Sequence, residues 1–239
     1  MGSELAAVQA LTFDVFGTVV DWRGSIIREV RALARQRGLR VNAAKFADAW
    51  RAGYRPAMDR VSSGELPWMK IDDIHRMILD DILGKFGITR LAESEKGDLN
   101  HVWHRLKPWP DSVRGLKRLK KTFTIATLSN GNVALLNNMA KNAGLPWDLI
   151  LSAELFHHYK PDPETYLGAA QLLGLKPHEV MMVAAHKHDL LSAARYGLRT
   201  ALVLRPLEYG KGKHPDLSPD PAFDINAGNF VDLAQQLGS

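Results

Sequence analysis

Short apolar segments alternate with helical segments through the second half of the sequence, and this alternation restricts the folds open to the chain. The predicted strands are 122–128, 149–152, 180–184 and 199–204, and the predicted helices are 112–120, 134–143, 162–173 and 189–196. A loop at 206–222 and a helix at 229–237 complete the chain. Such alternation is typical of a parallel sheet covered by helices on both faces. The sequence therefore predicts an α/β fold with a doubly wound parallel sheet.

A further apolar segment, 8–13, lies near the N-terminus and leads directly into Asp14. A short apolar run that ends in an acid is typical of a buried parallel strand with a charged group at its carboxyl end. The chain breaks soon afterwards at Gly17, which is followed by the Thr18 hydroxyl. Because one strand cannot stand alone, we assign this segment to the same sheet. Ligands of open α/β sheets bind at that edge, so Asp14 is a candidate functional group.

Helical patterns without a convincing strand fill the stretch between Asp21 and Pro108. The predicted helices of this stretch are 25–37, 43–54, 71–86 and 93–106. A helical insertion after the first strand would lie over the strand ends like a lid. We therefore predict a catalytic core formed by residues 1–20 and 109–239, with a helical cap domain formed by residues 21–108.

Composition excludes several classes of function. The chain contains no cysteine, which rules out disulfides, thiolate metal sites and a cysteine nucleophile, and fits a reducing compartment. The net charge is +5, but the basic residues are spread along helical segments without aromatic stacking partners, which disfavours a nucleic-acid partner. No apolar run approaches the length of a membrane span, and the first residues leave no room for a signal peptide. We expect a cytoplasmic protein.

Polar side chains occur at or just beyond the predicted strand ends or in the loops that follow them. These side chains are Asp14, Thr18, Ser129, Asn130, Lys160 and Asp189. Each of them has a simpler explanation when taken alone, as a helix cap, a turn residue or an exposed loop lysine. In a doubly wound sheet, however, the carboxyl ends of the strands meet at one edge. Their order along one chain therefore favours a shared site.

The segments that carry these groups resemble the sequence signatures of the haloacid dehalogenase superfamily. They are 13–18 (FDVFGT), 128–131 (LSNG), 159–163 (YKPDP) and 183–189 (VAAHKHD), and the resemblance extends over nearly the whole chain. It implies a Rossmann-like core with an inserted cap. It assigns Asp14 as a covalent nucleophile and Lys160 as the cation beside it. It also assigns Ser129 as an anion contact and Asp189 as the acid that activates water.

Two departures from the phosphatases of this superfamily indicate the branch. Those enzymes carry a second acid two residues after the nucleophile, where this sequence has Phe16, and they bind Mg²⁺ through several acids of the fourth segment, where this sequence has only Asp189. A halide leaving group needs no proton, and an alkyl halide needs no metal to neutralise phosphate charge. The resemblance therefore favours the branch that hydrolyses 2-haloacids, without metal or other cofactor.

Further residues match that branch. The segment 49–51 (AWR) resembles the one whose arginine binds the leaving halide, which assigns that role to Arg51, together with Asn130. Tyr166 matches a tyrosine of the same site, and the resemblance also places Val15 and Phe16 at substrate-binding positions. Without the resemblance, Arg51 reads as a surface arginine and Tyr166 as a half-buried helix tyrosine.

One segment departs from the pattern of the branch itself. The usual Ser-Ser-Asn before the fourth-segment acid is replaced here by Ala184, Ala185 and His186. A neutral His186 imidazole can hold Asp189 or the attacking water, with Thr18 nearby, as the asparagine would. An imidazole that titrates near neutrality would also make activity pH-dependent.

The resemblance thus implies a hydrolase that converts short 2-haloacids into 2-hydroxy acids through an aspartyl ester, with the haloacid and halide as its small-molecule partners and a homodimer as a common assembly. Substrate length would depend on cap side chains such as Tyr54, Trp68 and Met69. The alternatives are a Mg²⁺-dependent small-molecule phosphatase and a non-enzymatic binding protein. A zinc site is a weaker alternative, because histidine pairs such as His101 and His104 lack a zinc-helix motif.

Overall fold

The computed structural model of the protein describes residues 5–213 and 216–239. Its strands are β1 (Ala10–Phe13), β2 (Val20–Asp21), β3 (Lys107–Pro108), β4 (Thr124–Ser129), β5 (Leu149–Ser152), β6 (Val180–Ala184), β7 (Arg199–Val203) and β8 (Ile225–Ala227). Six of them form one parallel sheet in the order β5-β4-β1-β6-β7-β8. The predicted α/β fold with a doubly wound parallel sheet is confirmed.

The helices cover both faces of this sheet and fill the segment after β2. They are α1 (Trp22–Arg37), α2 (Ala43–Ser62), α3 (Ile71–Lys85), α4 (Glu93–Asn100), α5 (Ser112–Leu119), α6 (Val133–Ala143), α7 (Pro163–Leu172), α8 (Lys187–Arg195) and α9 (Phe230–Gln236). Short 3₁₀ turns lie at Leu5–Ala7, His101–Arg105, Ala153–Leu155 and Pro177–Glu179. No helix within residues 5–213 and 216–239 is long and apolar enough to cross a membrane.

The sheet separates two apolar cores, because successive side chains of a strand point to opposite faces. In β6, Met181 and Val183 contribute to the larger core, whereas Val180, Met182 and Ala184 contribute to the smaller one. The larger core includes side chains of α5, α6 and α9 and extends into the helices after β2, while α7 and α8 cover the smaller core. Every residue of β6 is buried, which explains its unbroken apolar sequence.

Two short strands join the ends of the helical segment, and the sequence pattern did not indicate them. Val20 pairs with Pro108 and Asp21 with Lys107 in an antiparallel ladder, so the chain enters and leaves the helical segment at the same place. A strand of two residues is too short to produce an alternating pattern. Asp21 also begins α1, because its carboxylate accepts a hydrogen bond from the Gly24 N–H at 2.7 Å.

Other parts of the secondary structure also differ from the sequence prediction. Helix α1 begins at Trp22 and not at residue 25, and the helix expected over 93–106 ends at Asn100, where a 3₁₀ turn follows. Helix α2 was expected to end at residue 54 but continues through Pro56 to Ser62, because Ala57 and Met58 bury the same face as Tyr54. Strand β8 was missed, since it has three residues and includes the polar Asn226. The described parts of 206–222 contain neither helix nor strand, as predicted.

Candidate active site

A cavity of about 380 Å³ lies where the carboxyl ends of β1, β4 and β6 meet helix α2. In the sheet, Phe13 pairs with both Thr127 and Val183, so the chain ends of these three strands lie side by side. The cavity wall contains nine of the sequence-predicted site residues: Asp14, Phe16, Arg51, Ser129, Asn130, Lys160, Tyr166, His186 and Asp189. Thr18 and Val15 do not line it.

Asp14 receives hydrogen bonds from three side chains. Its Oδ1 lies 3.1 Å from the Lys160 Nζ, and its Oδ2 accepts from the Thr18 hydroxyl at 2.7 Å and lies 3.1 Å from the His186 Nδ1. Burial alone would raise the pKa of Asp14, but the positive charge of Lys160 and the donors on His186 and Thr18 hold it well below its usual range. Asp14 is therefore an ionised, largely desolvated carboxylate, which suits a nucleophile.

The turn after Asp14 brings Thr18 to the carboxylate. The Val15 carbonyl accepts hydrogen bonds from the N–H groups of Val19 and Val20, which closes the turn. The Val15 side chain packs in the larger core, so only its backbone serves the site. Thr18 accepts a hydrogen bond from the Ala185 N–H at 2.9 Å, which leaves its own proton for Asp14.

Two features of this turn, its backbone conformation and the close approach of Glu208, leave no room for a side chain at Gly17. Its φ is +87°, and a Cβ built on it would lie 2.2 Å from the Glu208 Oε1. A Gly17→Ala variant should therefore lose roughly 1–2 kcal/mol through backbone strain and, because Thr18 and Glu208 must move, about 100-fold in turnover. Gly38→Ala is the matched control, since Gly38 has a φ of +62° with no atom within 4 Å of an added Cβ.

Thermal unfolding and steady-state turnover separate the two glycine variants. Gly38→Ala should lower the melting temperature and retain full turnover, whereas Gly17→Ala should lower both. Equal turnover of the two variants would show that the turn does not position the site.

Lys160 is buried between two carboxylates. Its Nζ contacts Oδ1 of Asp14 and Oδ2 of Asp189. Burial opposes the charged form, but both carboxylates together raise the pKa of Lys160 above its usual value. The other Asp189 oxygen accepts from the Tyr166 hydroxyl at 2.6 Å, and the pKa of Tyr166 is raised by burial and by this carboxylate. Tyr166 thus fixes the orientation of Asp189.

Asn130 and Ser129 connect the end of β4 to the rest of the site. The Asn130 Oδ1 accepts a hydrogen bond from the Lys160 N–H at 2.7 Å, and its Nδ2 approaches the Met58 sulfur of α2 at 3.4 Å. The Ser129 Oγ accepts from the Gly131 N–H at 3.2 Å. The Ser129 hydroxyl proton is then available to an anion in the cavity.

Arg51 has no ion-pair partner within residues 5–213 and 216–239. Its guanidinium carbon lies 4.5 Å from the centre of the Tyr54 ring and 5.7 Å from that of Trp22, and its Nη1 is buried without a hydrogen-bond partner. An unpaired buried donor of a cation is unfavourable. The arginine therefore presents an unsatisfied positive charge to a small anion in the cavity. Phe16 forms an apolar part of the same wall.

His186 differs from its sequence-based expectation. Its Nδ1 lies 3.1 Å from the Asp14 Oδ2, and its Nε2 lies 3.0 and 3.1 Å from the two oxygens of Glu208. Burial would lower the pKa of His186, but hydrogen bonds to Asp14 and Glu208 raise it to about 10. The sequence had suggested an imidazole that holds Asp189 or the attacking water, or one that titrates near neutrality; here the ring nitrogens contact Asp14 and Glu208 instead. His186 is an imidazolium at neutral pH, and its two N–H groups face Asp14 and Glu208.

Glu208 is a charged residue of the site that the sequence did not indicate. It lies in the loop after β7, which carried no motif, yet its side chain is only 3% exposed. Besides His186 it accepts a hydrogen bond from the Trp22 indole N–H at 3.2 Å. A lone acid in a loop rich in proline, glycine and lysine gives no signal of burial.

Of the three side chains in the helical segment that the sequence suggested as determinants of substrate length, one lines the cavity and two do not. Tyr54 lines the cavity, together with Arg55 and Met58 of the same helix, which the sequence did not single out. Trp68 instead stacks on His157 with ring centres 4.5 Å apart, and the Met69 carbonyl accepts from the Tyr159 hydroxyl. Tyr209, His188 and Pro161 also line the cavity.

The arrangement of carboxylates bears on metal binding. A Mg²⁺ ion would need several free oxygen ligands near the nucleophile, and here the Lys160 ammonium occupies the space between Asp14 and Asp189. Of the histidine pairs considered for zinc, His104 bonds to Asp72 at 2.9 Å. Within the described residues, one group has ligand atoms close enough to share an ion: His158, Asp162 and Glu164, on the surface.

Comparison with known proteins agrees with this geometry. A family model described as haloacid dehalogenase-like hydrolase matches residues 8–197. The chain is 28% identical over 223 residues to (S)-2-haloacid dehalogenase 1 of Pseudomonas sp. (strain CBS-3), covering 84% of this chain and 88% of the relative.

Two crystal structures resemble the chain over almost its full length. The L-2-haloacid dehalogenase PA0810 is 48% identical with a TM-score of 0.93, covering 97% of this chain and 99% of that one. The defluorinating L-2-haloacid dehalogenase Rha0230 is 48% identical with a TM-score of 0.94, covering 97% and 96%. The chain therefore belongs to the haloacid dehalogenase-like hydrolase family.

Proposed function

We propose that this hydrolase cleaves the carbon–halogen bond of short 2-haloacids and releases 2-hydroxy acids. The observation that carries the proposal is an ionised nucleophile, Asp14, in the same cavity as Arg51, a cation without an ion-pair partner among the described residues. A 2-haloacid has the matching features, namely an electrophilic carbon, a halide that leaves as an anion and a carboxylate. The related L-2-haloacid dehalogenases support the same substrate class.

The first step forms an ester. The Asp14 carboxylate attacks the carbon that bears the halogen, and the halide departs in line with the bonding electrons. Arg51 and the Asn130 amide stabilise the halide as negative charge develops on it, and Ser129 holds the substrate carboxylate. Lys160 keeps Asp14 ionised until it reacts, so the step needs no proton donor at position 16.

The second step hydrolyses the ester. Asp189, which Tyr166 orients, accepts a proton from a water molecule as that water attacks the ester carbonyl carbon of Asp14. Collapse of the tetrahedral intermediate breaks the bond between the Asp14 carboxyl carbon and the ester oxygen. That oxygen leaves on the substrate carbon and becomes the hydroxyl of the 2-hydroxy acid. Asp14 then carries one oxygen atom from the water, and it is regenerated as a carboxylate when its remaining proton is released to solvent.

The helical segment fits the part of a cap. We propose that residues 21–108 form a cap domain on a core of residues 1–20 and 109–239, joined at the ladder of β2 and β3. Arg51 and Tyr54 reach the cavity from this segment, so its closure would exclude water and strengthen the charge interactions around Asp14.

A parallel assay of two reaction classes tests the proposal. Halide release from chloroacetate, bromoacetate and fluoroacetate should be measured beside phosphate release from a general phosphomonoester. We expect halide release and no phosphate release. Phosphate release without halide release would favour the phosphatase alternative, whose mechanism requires an acid at the position of Phe16. The fluoroacetate arm tests whether the range of halogens extends to fluorine, as in the relative named defluorinating.

Chelation provides an independent prediction. Because the Lys160 ammonium supplies the positive charge beside Asp14, dialysis against EDTA should leave halide release unchanged within about twofold. The measurement is initial halide release before and after dialysis, with Mg²⁺ and Zn²⁺ added back in separate samples. Loss of activity that Mg²⁺ restores would contradict metal-independent chemistry.

The proposal also concerns partners and location. The partners are a small anionic 2-haloacid and the released halide. A cytoplasmic location accords with a chain that has no cysteine. A homodimer is the proposed assembly, which size-exclusion chromatography with light scattering measures directly.

A further inference from the structure

The two oxygens of Asp14 have different surroundings. Oδ2 accepts from the Thr18 hydroxyl at 2.7 Å and from the His186 Nδ1 at 3.1 Å, whereas Lys160 is the one partner of Oδ1 among residues 5–213 and 216–239. A carboxylate oxygen has two lone pairs, so both lone pairs of Oδ2 are engaged and one on Oδ1 is free. Oδ1 is therefore the atom available to attack substrate, and Oδ2 becomes the carbonyl oxygen of the ester.

The donors at Oδ2 are held in place from behind. The Ala185 N–H donates to the Thr18 Oγ1 at 2.9 Å, which directs the hydroxyl proton toward Oδ2. The His186 Nε2 faces both oxygens of Glu208 at 3.0 and 3.1 Å, which directs Nδ1–H toward Oδ2. Glu208 is itself fixed by the Trp22 indole and by close approach to Gly17.

We propose that His186 and Thr18 form an oxyanion site for hydrolysis of the Asp14 ester, and that Glu208 is the positioning residue that orients the imidazolium. This inference rests on the proposed function. When water attacks the Asp14 Cγ, the π electrons of the carbonyl move onto Oδ2, which becomes an oxyanion. The two donors already lie within hydrogen-bond distance of that atom, so they need no reorganisation.

Both protons of the attacking water are accounted for. One reaches the alkoxide through Asp189 and Lys160, and the other stays on the new oxygen of Asp14 and is released to solvent, which restores the carboxylate. Asp189 takes the first proton of the attacking water, and collapse of the oxyanion re-forms the Cγ–Oδ2 double bond and breaks the Cγ–Oδ1 bond. The departing alkoxide oxygen, Oδ1, lies next to Lys160, which donates a proton to it, and Asp189 returns a proton to Lys160 through their contact. His186 remains an imidazolium throughout and stabilises charge without transferring a proton.

His186 and Glu208 thus act in hydrolysis of the ester and not in alkylation of Asp14. In the resting enzyme, the imidazolium neutralises part of the Asp14 charge, so its removal should not weaken Asp14 as a nucleophile. In the ester, Oδ2 carries full negative charge only in the tetrahedral intermediate. Loss of the donor should therefore slow hydrolysis and leave alkylation nearly unchanged.

Three variants test this assignment by rapid-quench single turnover with bromoacetate. His186→Leu removes the donor, His186→Asn keeps a neutral N–H donor, and Glu208→Gln keeps the shape of the supporting side chain. We expect alkylation, measured as halide released in the first turnover, within about threefold of wild type. Ester hydrolysis should fall roughly 100-fold or more in His186→Leu, as when other enzymes lose one oxyanion donor.

The rates of ester hydrolysis of His186→Asn and Glu208→Gln should lie between those of wild type and His186→Leu. Mass spectrometry of the quenched protein should find the ester on a peptide that contains Asp14. His104→Asn is a control, because it removes another buried imidazole paired with a carboxylate, Asp72, outside the cavity. It should give wild-type rates in both steps.

The outcomes separate this inference from the proposed function. Equal slowing of both steps in His186→Leu and Glu208→Gln, or wild-type hydrolysis in His186→Leu, would overturn the oxyanion site and leave the dehalogenase function standing. Absence of halide from the wild-type enzyme with every 2-haloacid would overturn both.

Discussion

Asp14→Asn is expected to abolish halide release, by roughly 10⁴-fold or more, as found when other enzymes lose a nucleophile. An amide is a very poor nucleophile, and no other carboxylate in the described part of the chain lies between Lys160, Thr18 and His186. The fold should persist, because an asparagine oxygen can still accept from Thr18 and because Lys160 keeps its contact with Asp189. Halide release and circular dichroism of the same sample measure the two properties separately.

A second acid provides the control for this substitution. Asp148 also forms an ion pair, with Lys120 at 2.7 Å, but lies outside the cavity. Asp148→Asn should retain wild-type halide release. If a correctly folded Asp14→Asn protein turned over near the wild-type rate, covalent catalysis by Asp14 would be wrong, and attack of water directly on the substrate carbon would have to replace it.

The residues of the site that sequence predicts best are those attached to parallel strands. Asp14 follows β1 and Ser129 ends β4, and the carboxyl ends of neighbouring parallel strands must meet at one edge. Their proximity therefore follows from fold class alone. Lys160 comes from a loop; the strand order placed it near the same edge of the sheet, but its position directly beside Asp14 was implied only by the match of segment 159–163 to a family motif.

The charge of His186 could not be predicted in the same way. The family resemblance placed the imidazole where the pattern of the branch has asparagine, and the ordinary pKa of histidine then suggested titration near neutrality. The raised pKa of His186 depends on Asp14 and also on Glu208, a residue 22 positions away in a loop without regular structure. Nothing local to either residue specifies that contact, so the protonation state follows only from the tertiary structure.

The end of helix α2 was also not predicted from the sequence pattern. The sequence prediction ended this helix at residue 54, yet Tyr54, Ala57 and Met58 continue one buried face of α2 past Pro56. Packing of that face against the rest of the protein outweighed the loss of one backbone hydrogen bond. As a result Met58 reaches the cavity, which a helix ending at residue 54 would not have allowed.

Asp189→Asn is expected to separate the two steps of the reaction. Asp189 contacts Lys160 and Tyr166 but not Asp14, so its loss leaves the nucleophile and its cation able to react once. The variant should release a burst of halide near one equivalent per active site and then continue at a rate roughly 100-fold or more below wild type. Tyr166→Phe keeps the carboxylate and removes one hydrogen bond to it, so it should slow hydrolysis less.

Quenched-flow measurement of halide and mass spectrometry of the trapped protein test this division of labour. Both the burst and an ester on the peptide that contains Asp14 are expected for Asp189→Asn, because a water that has no base attacks the ester slowly while formation of the ester proceeds. If the variant gives neither a burst nor an adduct with any 2-haloacid that the wild type converts, Asp189 acts before or during alkylation. Its role would then be to hold Lys160 against Asp14, and the water would need a different base.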